Sequence, residues 1–278
     1  MLLLSYKWLK FLFRYVVPAS LRYPLAKWIA RGVIRFNAKR RSVIVANLTP
    51  LVGATGAAAL APEMLGNFLM TAVDFFCVRP SRQRKVAMEG WHRVEAAYHK
   101  SRRVMIVTAH LGNWETGISY VVERGYPVAG LYATYTDDAI VQWITSHRNA
   151  QVEWIPTAPG AADSCVTALQ NGRILCLAAD IPFGEQGRRV TIAGRTTRLP
   201  MGPWAIALRA NATVMPAFVL RDKPGHYRAI IHEPIRPTSE SLRTQMVKMQ
   251  DVYRAHLEHY LRTYPQQWGN LQPFWEPA

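Results

Sequence analysis

The chain has 278 residues, half of them hydrophobic, enough for one large α/β domain or two small ones; a disordered chain is excluded. Its 34 Lys and Arg against 18 Asp and Glu give a formal net charge of +16, so an anionic partner is expected: lipid headgroups, a phosphorylated substrate, an acidic carrier protein or nucleic acid. Cys77, Cys165 and Cys176 share no CxxC spacing and sit in apolar surroundings, which reads as buried reduced thiols on a cytosolic side, with no redox or metal role.

The N-terminal stretch MLLLSYKWLKFLFRYVVPASLRYPLAKWIARG carries Lys7, Lys10 and Arg14 at helical spacing, with Leu4, Trp8, Phe11, Leu12 and Tyr15 on the remaining arc; Pro18 ends this first segment. A transmembrane placement would cost roughly 2.5–3.5 kcal/mol for each cation near mid-bilayer. An interfacial helix instead gains about 1 kcal/mol per basic residue from anionic lipid and still sinks its aromatics. Residues 1–35 therefore read as an interfacial helical region, the alternative being an amphipathic helix packed on the domain, and 36–278 as a single α/β domain. No small-residue cleavage site follows an uninterrupted apolar core, so no cleaved signal peptide is expected.

Residues 42–62 lack charge, but Asn47, Pro50, Gly53 and Gly56 predict a pair of short helices on the domain and not a span. A helical pattern over 64–78, the basic loop RPSRQRK and a helix near 91–100 follow. From residue 103 strands alternate with helices. The predicted order is RVMIVTAH, a helix over 115–123 closed by Gly125, PVAGLYA, a helix opening at Asp137 and Asp138, VEWIP, a helix near 161–171, and RILCLAA. After RRVTIAG, a short strand, come a helix over 201–210, the strands TVMPAFVL and YRAIIHEPI, and a long helix over 239–263 before Pro265. This rhythm predicts a mixed, mostly parallel central sheet flanked by helices. Arg188, Arg189, Arg195 and Arg198 read either as a solvated loop or as a phosphate site. HLEH at 256–259 reads as surface histidines.

In HLGNWE, His110 and Glu115 lie five positions apart, about 140° around a continuous helix, where they do not meet. If the strand ends near Thr108, Gly112 and Asn113 turn, and a helix starts near Trp114, both side chains project from one strand-to-helix corner, where α/β sheets place their chemistry. The pattern predicts a dyad in which Glu115 fixes the imidazole tautomer and His110 deprotonates a hydroxyl. GxSxG and HExxH are both absent, so neither a serine nucleophile nor a zinc hydrolase is marked, and no cofactor or metal is expected. Direct attack of an acceptor hydroxyl on an activated acyl group needs the fewest parts.

HLGNWE resembles the H-x4-D/E motif of the lysophospholipid and glycolipid acyltransferases. The chain is most similar to the branch holding the late lipid A (lauroyl and myristoyl) acyltransferases and the phosphatidylinositol mannoside acyltransferases. The basic N-terminus, VIVANL, GLYATYTDDAIVQWITSHR ending at Arg148, the segment around Asp180 and the terminal YPQQWGNLQPFW follow that branch in order. The resemblance implies a glycerolipid acyltransferase-like fold. It further implies a peripheral or monotopic enzyme on the cytoplasmic face of the inner membrane. There it would move an acyl chain from acyl carrier protein or coenzyme A to a lipid or glycolipid hydroxyl. By the resemblance His110 is the general base, Glu115 its partner, and Arg148 and Asp180 are site residues. Asn113 in the turn and Arg189 among the arginines complete the candidate substrate contacts. ADIPFG replaces the branch's aspartate-glutamine-aspartate run, and GNLQPFW its Arg-rich ending, where acceptor contacts are expected. A different reading, a non-catalytic basic protein binding membranes or nucleic acid, lacks a nucleic-acid motif and leaves the dyad without a purpose.

Overall fold

The computed structural model describes residues 2–77, 85–134, 138–182 and 187–277. Helix α1 (Leu2–Phe11) continues through a π-helical turn (Leu12–Val16) to Pro18, whose fixed φ opens α2 (Ala19–Phe36). Segment α3 (Ala38–Cys77) is two helices meeting at a kink, so the break predicted within 42–62 is present, and the second helix runs on without interruption through the predicted 64–78 helix. The segment breaks only at Gly53 (φ 75°), where positive φ meets no Cβ, and not at Pro50 or Pro62. An 18-residue stretch of it has a mean hydropathy of 1.7, apolar enough to cross a membrane by length and composition, and only 22% of that stretch is buried. Ile44, Leu48, Ala57, Ala61, Met64 and Leu65 nonetheless join Ala30 and Ile34 of α2 in the buried core shared with the sheet.

The remaining elements are β1 (Lys85–Glu89), α4 (Trp91–Ser101), β2 (Val104–Thr108), α5 (Trp114–Glu123), β3 (Val128–Tyr132), α6 (Asp138–Thr145), β4 (Val152–Pro156), α7 (Ala161–Gln170), β5 (Ile174–Ala178), β6 (Arg188–Ile192), β7 (Arg195–Leu199), α8 (Gly202–Ala210), β8 (Thr213–Lys223), β9 (His226–Ile231) and α9 (Leu242–Thr263). The basic run 79–84, Val78 and Asp137 lie outside the described residues.

The sheet order is β1-β9-β8-β2-β5-β3-β4, with β8 and β9 antiparallel and every other pairing parallel. The predicted mixed, mostly parallel sheet is thus the observed one. Strand β2 is buried along its whole length, as its unbroken VMIVT run requires in the middle of a two-faced sheet. Strand β1 escapes the sequence pattern because its KVAME alternates on an edge, beside β9.

A second departure lies beyond β5. The arginine-rich stretch is the antiparallel hairpin β6–β7, its first strand the predicted RRVTIAG and its second, β7, unpredicted, pairing Arg188 with Leu199 through Ile192 with Arg195. Val190, Ile192, Thr197 and Leu199 are buried on its inner face, which fixes the register and puts Arg189 and Arg198 on the opposite face, while Arg188 and Arg195 fall on the inner face at the hairpin's ends.

Candidate active site

Neighbouring parallel strands carry the central pair to the same height. Thr108 of β2 is in register with Ala178 of β5, and the Ala179 amide donates to the Thr108 carbonyl at 2.9 Å. Two residues beyond, His110 and Asp180 face each other across the carboxyl ends of the two strands, the edge where such sheets present ligand sites. The His110 Nδ1 lies 2.9 Å from Asp180 Oδ1, which also accepts the His110 backbone N–H at 3.2 Å. Trp268 Nε1 donates to Oδ2 at 3.2 Å. Asp180 is wholly buried, whereas the His110 side chain is 34% exposed.

Burial opposes charge on both partners, and the pairing overrides it. Desolvation pushes the imidazole down, but the Asp180 carboxylate and its hydrogen bond, with a smaller pull from Glu115, raise its pKa. Desolvation likewise pushes Asp180 up, while His110, Trp268 and the His110 amide hold its pKa below the usual carboxylate value. With Nδ1–H held by Asp180, Nε2 becomes the basic nitrogen, and no protein group among the described residues bonds to it.

The next turn follows the sequence pattern. Gly112 takes φ 61°, and a Cβ there would stand 1.9 Å from the Val219 carbonyl oxygen, so only glycine fits. Its amide donates to the Gln267 carbonyl, and the Asn113 amide to that of Val219, pinning the turn to β8 and the C-terminal segment. Asn113 caps α5, its side chain accepting from the Thr116 amide at 3.2 Å.

Glu115 does not close the expected dyad by hydrogen bond. Because α5 starts at Trp114, Glu115 lies in its first turn and meets Arg148, Nη2 to Oε1 at 3.4 Å, with both side chains mostly buried. The Arg148 guanidinium lies 4.2 Å from the Trp154 ring centroid and 5.4 Å from that of Tyr132. The carboxylate bonded to His110 is instead Asp180, seventy residues away in sequence.

His110, Glu115 and Arg148 line one cavity of about 230 Å³ with Thr108, Trp114 and Tyr132. Arg148 Nε and Thr108 Oγ1 are buried with no protein partner among the described residues. A smaller, apolar cavity of about 40 Å³ lies against it, sharing Thr108, Trp114, Ile118 and Cys176 as walls. A base, a cation and unpaired donors around one space suit removal of a hydroxyl proton beside a developing negative oxygen.

Three expected substrate contacts are placed otherwise. Asp180 sits behind His110, fully buried. Asn113 is also buried, and its Nδ2 donates to Asp74 Oδ2 at 2.9 Å. Arg189 extends from the hairpin to Glu276, which also takes Arg198 at 2.9 Å, and it does not line the cavity. Arg188 bonds to Gln250 and Asp251 of α9. Each of these cations meets a nearby carboxylate or amide from a distant segment, which spacing cannot reveal.

Several site-holding residues, Trp268 of YPQQWGNLQPFW apart, carry no sequence signal of their own. Asp74 of α3 receives hydrogen bonds from Asn113, Arg221, Tyr227 and Tyr23, and Thr71 Oγ1 donates to the Gly112 carbonyl at 2.9 Å. Tyr253 donates to the Thr108 carbonyl at 2.8 Å, and Trp268 reaches Asp180. These groups meet only once the chain is folded.

Among known proteins, the chain is similar to the phosphatidylinositol mannoside acyltransferase of Mycobacterium tuberculosis, 22% identical over 199 residues, covering 70% of this chain and 61% of that protein. The Mycolicibacterium smegmatis protein of the same name is 22% identical over 184 residues, covering 65% and 59%. The matched stretch therefore spans about three fifths of these relatives' length. The crystal structure of the 1-acyl-sn-glycerophosphate acyltransferase of Thermotoga maritima aligns with a TM-score of 0.42 at 14% identity, covering 87% of this chain and 98% of that one. The family model of the bacterial lipid A biosynthesis acyltransferases matches residues 4–276, nearly the whole chain, and the protein belongs to that family.

Proposed function

We propose that the protein is a membrane-associated O-acyltransferase. It moves a fatty acyl chain from a thioester of acyl carrier protein or coenzyme A to a hydroxyl of a lipid or glycolipid, with a lipid A-type acceptor on the cytoplasmic face of the inner membrane. The observation that carries the reading is His110, held through Nδ1 by buried Asp180, at a cavity that also holds Arg148. Membership of an acyltransferase family and the names of the mycobacterial relatives support it.

In the reaction, His110 Nε2 takes the proton of the acceptor hydroxyl as its oxygen attacks the thioester carbonyl carbon. The resulting oxyanion lies near the Arg148 guanidinium. Collapse breaks the carbon–sulfur bond, and the imidazolium returns the proton to the departing thiolate. Glu115 anchors Arg148 and adds to the field that favours the imidazolium. The apolar cavity beside Trp114 suits the start of the donor chain.

Membrane association is supported by the N-terminal layer. Trp8, Phe11, Tyr15, Val16 and Trp28 are exposed on α1, the π turn and α2, beside exposed Lys7, an arrangement suited to an interface. The test is transfer by the purified full chain, given acyl carrier protein and coenzyme A thioesters with candidate lipid acceptors, together with lipid mass spectrometry of cells with and without the gene. A new acyl ester made by wild type and not by His110→Ala supports the reading. Donor hydrolysis alone, or no lipid change, overturns it.

A further inference from the structure

A second cavity, of about 330 Å³, lies between α1, its π turn, α2 and α3, a volume within the ~300–1,000 Å³ typical of ligand sites. Leu9 and Phe13 form one wall, Ile29 and Val33 of α2 a second, and Leu69 and Phe76 of α3 a third. The charged residues lining it are Lys10 and Arg40, and no carboxylate lines it. Arg14, bonded to the Phe76 carbonyl, and Arg22, bonded to the Arg14 carbonyl, add two more cations nearby.

Helix α6 separates this groove from the catalytic cavity. Trp143 lines the groove, stacked on Phe76 at 4.9 Å, while Val141, Ile144 and Thr145 line the catalytic cavity along with Arg148. Lys10 meets His147, the residue before Arg148. At another point Phe68 of the groove approaches the position where Gly269 would carry a Cβ to 3.2 Å, as does the His110 carbonyl. The outward side of the same first helix bears Trp8 and Phe11, both exposed.

We propose that this groove holds one hydrocarbon chain of an anionic membrane lipid, the acceptor of the reaction, with its phosphate at Lys10. The proposal rests on the lipid acyl-transfer reading. An apolar trough whose charged lining is wholly cationic, walled by the interfacial helix and sharing α6 with the active site, matches a lipid drawn partly out of a bilayer. Its headgroup hydroxyl then enters the catalytic cavity while its chain stays in the helical layer. Arg40, which donates to the Leu271 carbonyl at 2.9 Å, closes the groove on the C-terminal segment.

The test uses the full chain on phosphatidylcholine vesicles containing phosphatidylglycerol with a diazirine in one chain, photolysed and mapped by mass spectrometry. Label is expected on α3 between Leu65 and Phe76. Ala72→Trp, and independently Ile29→Trp, fill the groove and are expected to lose most of that label while keeping label at Trp8 and Phe11. Lys10→Glu is expected to lower it for phosphatidylglycerol more than for a neutral phosphatidylcholine probe. Label confined to the outer residues, or α3 label unchanged in both filling variants, overturns the proposal. Because photolysis reads occupancy and not transfer, absence of acyl transfer in a separate assay would strike the enzymatic reading alone.

Discussion

Two buried aspartates brace opposite sides of the HLGNWE turn, and they differ in what completes them. Asp74 is closed in: Arg221, itself only 3% exposed, Tyr23, Tyr227 and Asn113 all donate to it from inside the fold. Asp180 is equally buried, yet its main partner is a histidine one third exposed on a cavity. The first arrangement satisfies a charge and locks helix α3 to β8, β9 and the turn. The second sets a buried carboxylate against a group that faces the cavity, the arrangement that the proposed general-base role of His110 uses. The same contrast separates Arg148, with an unpartnered Nε at the cavity, from the hairpin arginines paired with Glu276 and Asp251.

The largest effect is expected at the open side. His110→Ala should remove the base and cost about 10²–10⁴ in kcat, with the far-ultraviolet circular dichroism unchanged. Asp74→Ala sharpens the contrast from the closed side. Removing one member of a buried pair leaves Arg221 uncompensated, at about 3–5 kcal/mol, so denaturant melts should show a large stability loss. Activity per folded molecule should fall far less than in His110→Ala, and an equal fall would mean that both aspartates serve the chemistry.

Arg148→Ala should lower kcat by about 10²–10³. Lysine should restore only part of it, since it cannot reproduce the planar guanidinium between Trp154 and Glu115. Wild-type turnover in Arg148→Lys would reduce that residue to a point charge. Arg189→Ala, by contrast, should leave kcat and KM as they are, because its partner Glu276 lies on the hairpin's own support.

The smallest effect is on stability against pH. The depressed Asp180 pKa contributes stability above the ordinary aspartate value near 4, lost as pH falls through the depressed value. The raised His110 pKa contributes fully below about 6.5 and is lost as pH rises through the raised value. The gap in Tm between wild type and Asp180→Asn should therefore be widest between about pH 4 and 6.5 and narrow on both sides. A gap that widened steadily towards alkaline pH would contradict the ion pair.

Much of this was legible before folding. The alternation of apolar runs with amphipathic stretches announced the parallel sheet, and Gly112, Asn113 and Trp114 announced the strand-to-helix corner. His110 and Arg148 line one cavity. The partner of His110 was not legible from spacing, because strand adjacency, not sequence distance, sets it: β2 lies beside β5, which arrives sixty-six residues after β2 ends. Glu115 looked like the partner because it is near in the chain, yet the α5 cap turns it towards Arg148. Asp74 carries no motif at all, and its role depends on α2, β8, β9 and the turn at Asn113 all meeting α3. Of the hairpin, β6 was legible as RRVTIAG, whereas β7 was hidden because RTTRL holds only one apolar residue and its buried Thr197 is polar.

The central claim is that His110 is oriented by Asp180 and not by Glu115. The pH profile of kcat/KM, measured for wild type, Asp180→Asn and Glu115→Gln with one thioester donor and one lipid acceptor, tests it most directly. Wild type should gain activity as His110 loses its proton, with a midpoint above the ordinary histidine value of about 6.5. In Asp180→Asn the midpoint should move to lower pH, as burial then governs the imidazole, and the plateau should fall by about 10²–10⁴ as the tautomer is released. Glu115→Gln should move both less. A normal plateau and midpoint in Asp180→Asn, beside an inactive Glu115→Gln, would contradict the account and restore the pairing that sequence spacing suggests.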